Sequence, residues 1–85
     1  MPYHTYILEC ADKTLYVGST NKLEKRLHEH NNLKSGAHYT KIRRPVILKY
    51  SEKCESYAEA RKKEGLWKRM SRQEKLELIK KNPNK

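Results

Sequence analysis

The sequence is poor in cysteine, in acidic residues and in long apolar runs. Its two cysteines, Cys10 and Cys54, are far apart and lack the paired spacing of a metal knuckle. We therefore expect both to be small buried side chains in a reducing compartment. No apolar run approaches the length of a membrane span, and the N-terminus has neither the basic nor the apolar region of a signal peptide. These absences predict a cytoplasmic protein without a membrane partner.

The shortage of acidic residues leaves a large positive charge. Twenty lysines and arginines against ten acidic residues give a net charge of +10 and a pI near 9.8. A field of this sign attracts polyanions, so nucleic acid is the first candidate partner. An anionic membrane surface is a weaker one, because no predicted helix has a long apolar face opposite its lysines. The alternative is a solvated basic surface that only keeps the protein soluble.

The 85 residues are enough for one domain with a modest core. Apolar residues make up only 35% of the chain and the mean hydropathy is −1.12, yet they fall in periodic clusters. We predict one folded domain over residues 1–80 and a polar tail over residues 81–85.

The N-terminal part predicts an antiparallel hairpin. Two β-rich runs, Tyr3–Cys10 and Thr14–Ser19, are separated by a short polar gap that suits a turn. Alternation along the strands places Tyr6 on one face of the hairpin, together with Tyr16 and Gly18. The tyrosines either fill the core, as buried tyrosines usually do, or contribute to a site.

A helix is predicted to follow, from about Lys22 to about Leu33. Its inward stripe contains Arg26 and His30 as well as two leucines. Polar groups on a buried edge need partners. Alternatively, Arg26 reaches the rim and His30 caps the end of the helix.

The C-terminal half predicts a third strand and two helices. Val46–Tyr50 is the strand, and two capping boxes start helices from Ser56 to about Met70 and from Ser71 to about Lys80. The predicted fold is therefore α/β in the broad sense, more strictly α+β. A three-stranded antiparallel sheet is flanked by helices in the order β-β-α-β-α-α.

Glu64 interrupts the apolar stripe of the helix that begins after Ser56. That stripe contains four residues: Tyr57, Ala60, Glu64 and Trp67. The carboxylate has two interpretations, since it either belongs to a site or pairs with Arg61 or Lys68 on its own helix.

The segment from Leu33 to Arg44 has no period and reads as a loop that ends before Pro45. Its basic residues either contact phosphates or form a solvated connection. With a lysine of the following helix, the predicted nucleic-acid contacts are Lys41, Arg43, Arg44 and Lys68.

If the hairpin face with the tyrosines meets both helices, one cleft holds two phenols, a guanidinium, an imidazole and a carboxylate. This set suits phosphodiester chemistry. A carboxylate can hold a divalent cation, an arginine can neutralise charge on the phosphate, and a tyrosine or histidine can accept a proton from water.

The motifs T-Y-I-L and L-Y-V-G-S-T-N-K-L-E-K-R-L-H-E-H-N resemble the GIY-YIG nuclease domain. The later H-Y-T, R-R-P and A-E-A-R-K-K-E-G-L-W-K resemble its small stand-alone bacterial members, the UPF0213-like proteins related to UvrC-type endonucleases. The resemblance covers about residues 3 to 80. It departs at His4 and Thr5, which replace the Gly and Ile of GIY, and at Ser19, where some members have a lysine.

The resemblance implies a metal-dependent endonuclease that acts on DNA more readily than on RNA, in repair or other processing of nucleic acid. It assigns Tyr6, Tyr16, Arg26 and His30 to catalysis and Glu64 to one Mg²⁺ or Mn²⁺ ion. The general base stays open among the two tyrosines and His30.

Two other functions stay open at this point. One is a non-catalytic nucleic-acid-binding module that kept the nuclease fold. The other is a basic accessory domain that acts through a protein partner, and such a partner could also supply specificity to a nuclease that has no second DNA-binding domain.

Overall fold

The computed structural model describes residues 2–32 and 38–81. Its elements follow the predicted order with one additional short helix. They are β1 (Tyr3–Glu9), β2 (Leu15–Thr20), α1 (Leu23–Asn32), α2 (His38–Lys41), β3 (Ile47–Cys54), α3 (Tyr57–Lys68) and α4 (Arg72–Lys81). The predicted α+β fold is confirmed. Of the predicted polar tail, Lys81 is the last residue of α4, and residues 82–85 lie outside the described part.

The sheet is antiparallel, with β1 in the centre and the strand order β2-β1-β3. The β1–β2 hairpin closes as the sequence predicts, because the Asp12 carboxylate accepts hydrogen bonds from the Thr14 amide (3.1 Å) and hydroxyl (2.6 Å). Between them Lys13 adopts a positive φ of 71°. The turn fixes a register in which Tyr6 lies opposite Gly18.

Strand alternation divides the core into two clusters, one on each face of the sheet. Tyr6, Leu8 and Cys10 pack on the first face with leucines of α1 and with Tyr39 of α2. The opposite face carries a second cluster, which consists of Ile7, Val17, Tyr50 and Trp67 together with residues of α4. The tyrosine face therefore does not meet both helices, which was the condition for a single cleft. Helix α3 packs on the other face through Trp67, because the apolar odd-numbered side chains of the hairpin must also be removed from water.

The two predicted capping boxes begin α3 and α4. The Ser56 hydroxyl accepts the Glu59 amide at 3.2 Å, and the Ser71 hydroxyl accepts the Glu74 amide at 3.1 Å. The predicted inward stripe of α3 is wrong at its first residue, because Tyr57 is 52% exposed. It lies in the first turn of α3 beside Tyr3, the first residue of β1, at the end of the sheet.

The segment predicted as a loop is partly helical. Its residues 38–41 form α2, one turn long, while residues 33–37 lie outside the described part. The third strand runs four residues beyond the predicted end at Tyr50, to Cys54. Those residues, S-E-K-C, are mostly polar because β3 is an edge strand, so hydropathy alone did not reveal them.

Candidate functional site

Gly18 makes room for the Tyr6 ring. A Cβ atom at position 18 would lie 2.5 Å from the Tyr6 hydroxyl and 2.7 Å from Cζ, closer than real Cβ contacts allow. Tyr6 therefore crosses the neighbouring strand at its glycine, and the ring is only 2% exposed. This close approach places the hydroxyl beneath α1.

The hydroxyl of Tyr6 meets His30, the polar residue on the inward stripe of α1. Tyr6 Oη and His30 Nε2 are 2.9 Å apart, and His30 Nδ1 lies 2.7 Å from Thr40 Oγ1. All three side chains are buried, and His30 is 0% exposed. Burial, together with the positive charge of nearby Arg26, lowers the pKa of His30 from 6.5 to about 4. The imidazole is thus neutral and has partners on both nitrogens, as an interior residue requires.

Arg26 lies between the buried cluster and solvent, with its side chain 28% exposed. Its Nη1 donates to Glu29 at 2.9 Å, and the guanidinium also interacts with the Tyr6 hydroxyl, which raises the pKa of Arg26 and lowers that of Tyr6. Burial outweighs this effect and raises the pKa of the Tyr6 phenol to about 12. Tyr6 is therefore neutral here.

We infer the tautomer of His30 from these contacts. The guanidinium of Arg26 has only donors, so its interaction with the Tyr6 oxygen favours a phenol proton that is directed to His30 Nε2. A neutral imidazole carries one proton, which then lies on Nδ1 and is donated to Thr40 Oγ1. We infer that Thr40 holds His30 in the tautomer whose Nε2 faces Tyr6.

Replacing Thr40 tests this assignment. Thr40→Val keeps the side-chain shape but leaves the Nδ1–H of His30 without its acceptor, so we expect the free energy of unfolding to fall by about 1–3 kcal/mol. In ¹⁵N spectra of the imidazoles, wild-type His30 should show a protonated Nδ1 and an unprotonated Nε2. Thr40→Ser, which keeps the hydroxyl, should preserve both the spectrum and most of the stability. A protonated Nε2 in the wild type would contradict the assignment.

The second tyrosine, Tyr16, also contacts His30 and so belongs to the same cluster. Its ring meets the His30 ring edge-on with centroids 5.2 Å apart and stacks on Tyr39 at 5.9 Å. The guanidinium of Arg43 lies over the Tyr39 ring, 3.9 Å from its centroid. Tyr16 is less buried than Tyr6, so it is the more accessible of the two phenols.

Glu64 lies at the β2 edge of the sheet with its side chain 14% exposed. The Ser19 hydroxyl donates to one carboxylate oxygen at 2.6 Å, and Lys68 Nζ lies 2.8 Å from the other. Arg61 Nε is 3.9 Å from the first oxygen. Glu64 thus pairs with both neighbours on its own helix, and it also bonds to the hairpin. Its charge still acts on Tyr6, whose pKa it raises, although the two residues lie on opposite faces of the sheet.

Most of the predicted nucleic-acid contacts also have intramolecular partners. Arg43 pairs with Asp12 at 3.0 Å, and Lys68 pairs with Glu64. Arg44 donates to the carbonyls of Glu29 and His30 and so stabilises the C-terminal end of α1. Arg44 thus connects the end of α1 to the segment before β3, and Arg43 connects that segment to the hairpin turn, whatever else they contact.

A divalent cation at the β2 edge of the sheet would have one carboxylate, that of Glu64. Among the described residues no group of three or more His, Cys, Asp or Glu could hold a metal ion. Interactions with Lys68 and Ser19 outweigh burial and lower the pKa of Glu64, so it is ionised. Magnesium commonly keeps several waters and binds one or two carboxylates plus substrate phosphates, so the single carboxylate fits such an ion.

Sequence reasoning missed two supporting residues. Thr40 lay in the segment read as a loop, and Ser19 was noted only because it replaces a lysine. The β-period could have signalled Ser19, since it places this side chain on the face opposite Tyr16, where α3 packs. No local signal indicated Thr40, because its partner His30 belongs to another helix, ten residues earlier in the sequence.

The chain is a small α+β domain with helices on both faces of a three-stranded sheet. Its polar site lies beside the sheet, where a neutral phenol–imidazole pair is buried beneath α1. Residues 2–77 match the family model described as the GIY-YIG catalytic domain. The chain therefore belongs to the GIY-YIG family, a family of nuclease domains.

Related proteins support the same assignment. A UPF0213 protein of Syntrophus aciditrophicus (strain SB) is 56% identical over 82 residues, which cover 96% of this chain and 94% of that relative. The solution NMR structure of the UPF0213 protein BH0048 from Bacillus halodurans is 33% identical, with a TM-score of 0.64 over 99% of this chain and 88% of the other. That of the protein EF2693 from E. faecalis is 37% identical, with a TM-score of 0.65 over 95% and 85%. None of the described helices could cross a membrane.

Proposed function

We propose that this protein is a metal-dependent endonuclease that hydrolyses phosphodiester bonds in DNA. The observation that supports the proposal most is that Arg26 and Glu64 reach the same point of the hairpin from helices on opposite faces of the sheet. The Tyr6 hydroxyl, which interacts with Arg26, lies against Gly18, and Glu64 bonds to the next residue, Ser19. The net charge of +10 favours a polyanionic substrate.

Each residue of the cluster has a distinct part in this proposal. The guanidinium of Arg26 is partly exposed and can donate to a phosphate oxygen while it holds Tyr6. Glu64 would hold one Mg²⁺ or Mn²⁺ ion, which when bound supplies charge that polarises the phosphate and favours deprotonation nearby. Ser19 and Lys68 orient the carboxylate.

The state of Tyr6 and His30 limits which group can act as the base. With the pKa of Tyr6 at about 12 and that of His30 at about 4, transfer of the phenol proton to the imidazole is unfavourable in the unliganded protein. His30 is fully buried, and its two ring nitrogens bond to Tyr6 and Thr40, so neither nitrogen faces an attacking water. We therefore propose that His30 positions Tyr6 and that the base is one of the two tyrosines, with Tyr16 the more accessible.

A plasmid-nicking assay tests the proposal. The wild-type protein should relax supercoiled DNA in the presence of Mn²⁺, and EDTA should stop the reaction. Glu64→Gln keeps the hydrogen bond from Ser19 but removes the charge that would hold the cation. We expect cleavage at a fixed Mn²⁺ concentration to be slower by about 10²-fold.

Glu77→Gln is the matched control. It makes the same change in a carboxylate of α4 whose hydrogen-bond partner is Gln73, on the same helix. Its rate should equal that of the wild type. Equal nicking by all three proteins would identify a contaminating nuclease. DNA binding without nicking by any of them would support a non-catalytic nucleic-acid-binding module instead.

A further inference from the structure

The N-terminal turn of α3 carries an aromatic group that the proposed cleavage chemistry does not use. Tyr57 is 52% exposed, one of the few large apolar side chains so placed among the described residues. The ring of Tyr3 packs against the ring of Tyr57, with centroids 5.2 Å apart and ring planes inclined at 55°. Arg61, one turn further along α3, donates from Nη1 to the Tyr57 hydroxyl at 2.9 Å. We name Tyr3, Tyr57 and Arg61 the aromatic–arginine patch.

The patch is held in place and still exposed. A ring that contacts a second ring and a guanidinium loses little further freedom when a ligand stacks on it, so the ordering cost of binding is small. The Arg61 guanidinium carbon lies 5.7 Å from the Tyr57 centroid, and its side chain is 60% exposed. An exposed aromatic face beside an arginine is the arrangement that binds unpaired bases by stacking, with the cation near the phosphates.

The patch is continuous with the candidate site through Arg61. The same guanidinium that bonds to Tyr57 lies 3.9 Å from Glu64, which also pairs with Lys68. Tyr57, Arg61, Glu64 and Lys68 therefore follow one ridge of α3, from an aromatic end to a cationic end. A strand with phosphates near Arg61 and Lys68 would bring a base over Tyr57.

The charge around Tyr57 favours a base there over a phosphate. Two acidic residues, Glu55 and Glu59, flank it in sequence, and the Glu59 carboxylate accepts the Glu55 amide at 3.0 Å. Both are exposed. Negative charge at this end repels a phosphate but not the π-face of a base. Duplex DNA keeps its bases stacked on one another, so only an unpaired base can reach the ring.

We propose that the aromatic–arginine patch binds single-stranded nucleic acid by stacking an unpaired base on Tyr57. This inference rests on the proposed function, because it names the form of the substrate that lies along the same helix. It specifies DNA that is single-stranded next to the site of cleavage, such as a frayed end, a gap or a flap.

Fluorescence anisotropy with a short labelled oligothymidylate tests the proposal. All binding is measured in EDTA, so the result does not depend on cleavage or on a metal. Tyr57→Leu replaces the ring with an exposed apolar side chain and should weaken binding by about tenfold. Leu66→Ala is the control, since Leu66 is 51% exposed on the same helix, and it should bind like the wild type.

An abasic oligonucleotide of equal length separates stacking from phosphate attraction. It carries the same charge without bases, so wild type and Tyr57→Leu should bind it equally. Equal binding of oligothymidylate by these two proteins would overturn the proposal, as would an equal loss of affinity for both ligands. If the nuclease is inactive but the tenfold difference persists, the patch stands and the proposed catalysis fails.

Discussion

Tyr6→Phe is expected to lower the nicking rate by about 10²–10⁴-fold, the range typical for loss of a group that acts in proton transfer. Phenylalanine keeps the ring that fills the space over Gly18 and removes only the hydroxyl. That oxygen is the point where Arg26 and His30 meet. Its loss removes the acceptor of the arginine and the donor to the imidazole together.

The same change also reduces stability. His30 Nε2 is fully buried, and without the phenol it has no donor, so we expect the free energy of unfolding to fall by about 1–3 kcal/mol. Urea denaturation measures this loss, and nicking is compared well below the transition. Tyr50→Phe is the matched control. It removes a half-buried hydroxyl that donates to Glu52 on the other face of the sheet, so it should cost stability without affecting the rate.

A pH profile of the nicking rate distinguishes the two tyrosines. If Tyr6 is the base, Tyr6→Phe abolishes the rise of the rate with pH, while Tyr16→Phe preserves it. If Tyr16 is the base, the two results are exchanged. Activity of Tyr6→Phe equal to that of the wild type would remove the hydroxyl from the mechanism altogether.

Acid is expected to destabilise the fold through His30. Its pKa is about 4 in the folded protein and 6.5 in an unfolded chain, so the unfolded state binds the extra proton between these values. The contribution of the neutral imidazole is therefore complete above about pH 6.5 and is lost as the pH falls towards 4. The loss is on the order of 3 kcal/mol, a large part of the stability of a small domain.

Urea denaturation at a series of pH values measures this dependence. His30→Gln cannot titrate, so it should be less stable than the wild type at neutral pH but show a much flatter slope between pH 6.5 and 4. His28→Gln, which changes an exposed histidine two residues earlier on α1, should retain the wild-type slope. The same slope in His30→Gln would show that other groups cause the acid sensitivity. Glu52 and Glu64 have lowered pKa values in the folded protein, so the stability that their ionised forms contribute is lost only below about pH 4.5.

Much of the fold could be predicted from local patterns. The hairpin, the face parity of Tyr6 and Tyr16, the capping residues Ser56 and Ser71 and the order of the elements all follow from spacing over a few residues. Such patterns are reliable because alternation and capping are properties of the local backbone. The polar residues on apolar stripes, Arg26, His30 and Glu64, were likewise visible as departures from a local rule.

The candidate site was only partly predictable, because its geometry depends on contacts between distant elements. A single cleft required two helices on one face of the sheet, but the need to cover Ile7 and Val17 places α3 on the other. Glu64 therefore reaches the site at the edge of the sheet, where Ser19 holds it. The position of Tyr57 outside the core has a similar cause, since the sheet ends beside it.

By itself, the sequence determined the residue types of the site, the strand faces, the helix starts and the basic charge, since each is encoded within a few neighbouring positions. Only the tertiary structure decided which partners these residues have. Thr40 of α2 hydrogen-bonds to His30 of α1, and Ser19 of the hairpin hydrogen-bonds to Glu64 of α3. Burial then fixes the neutral states of Tyr6 and His30, because removal from water disfavours their charged forms.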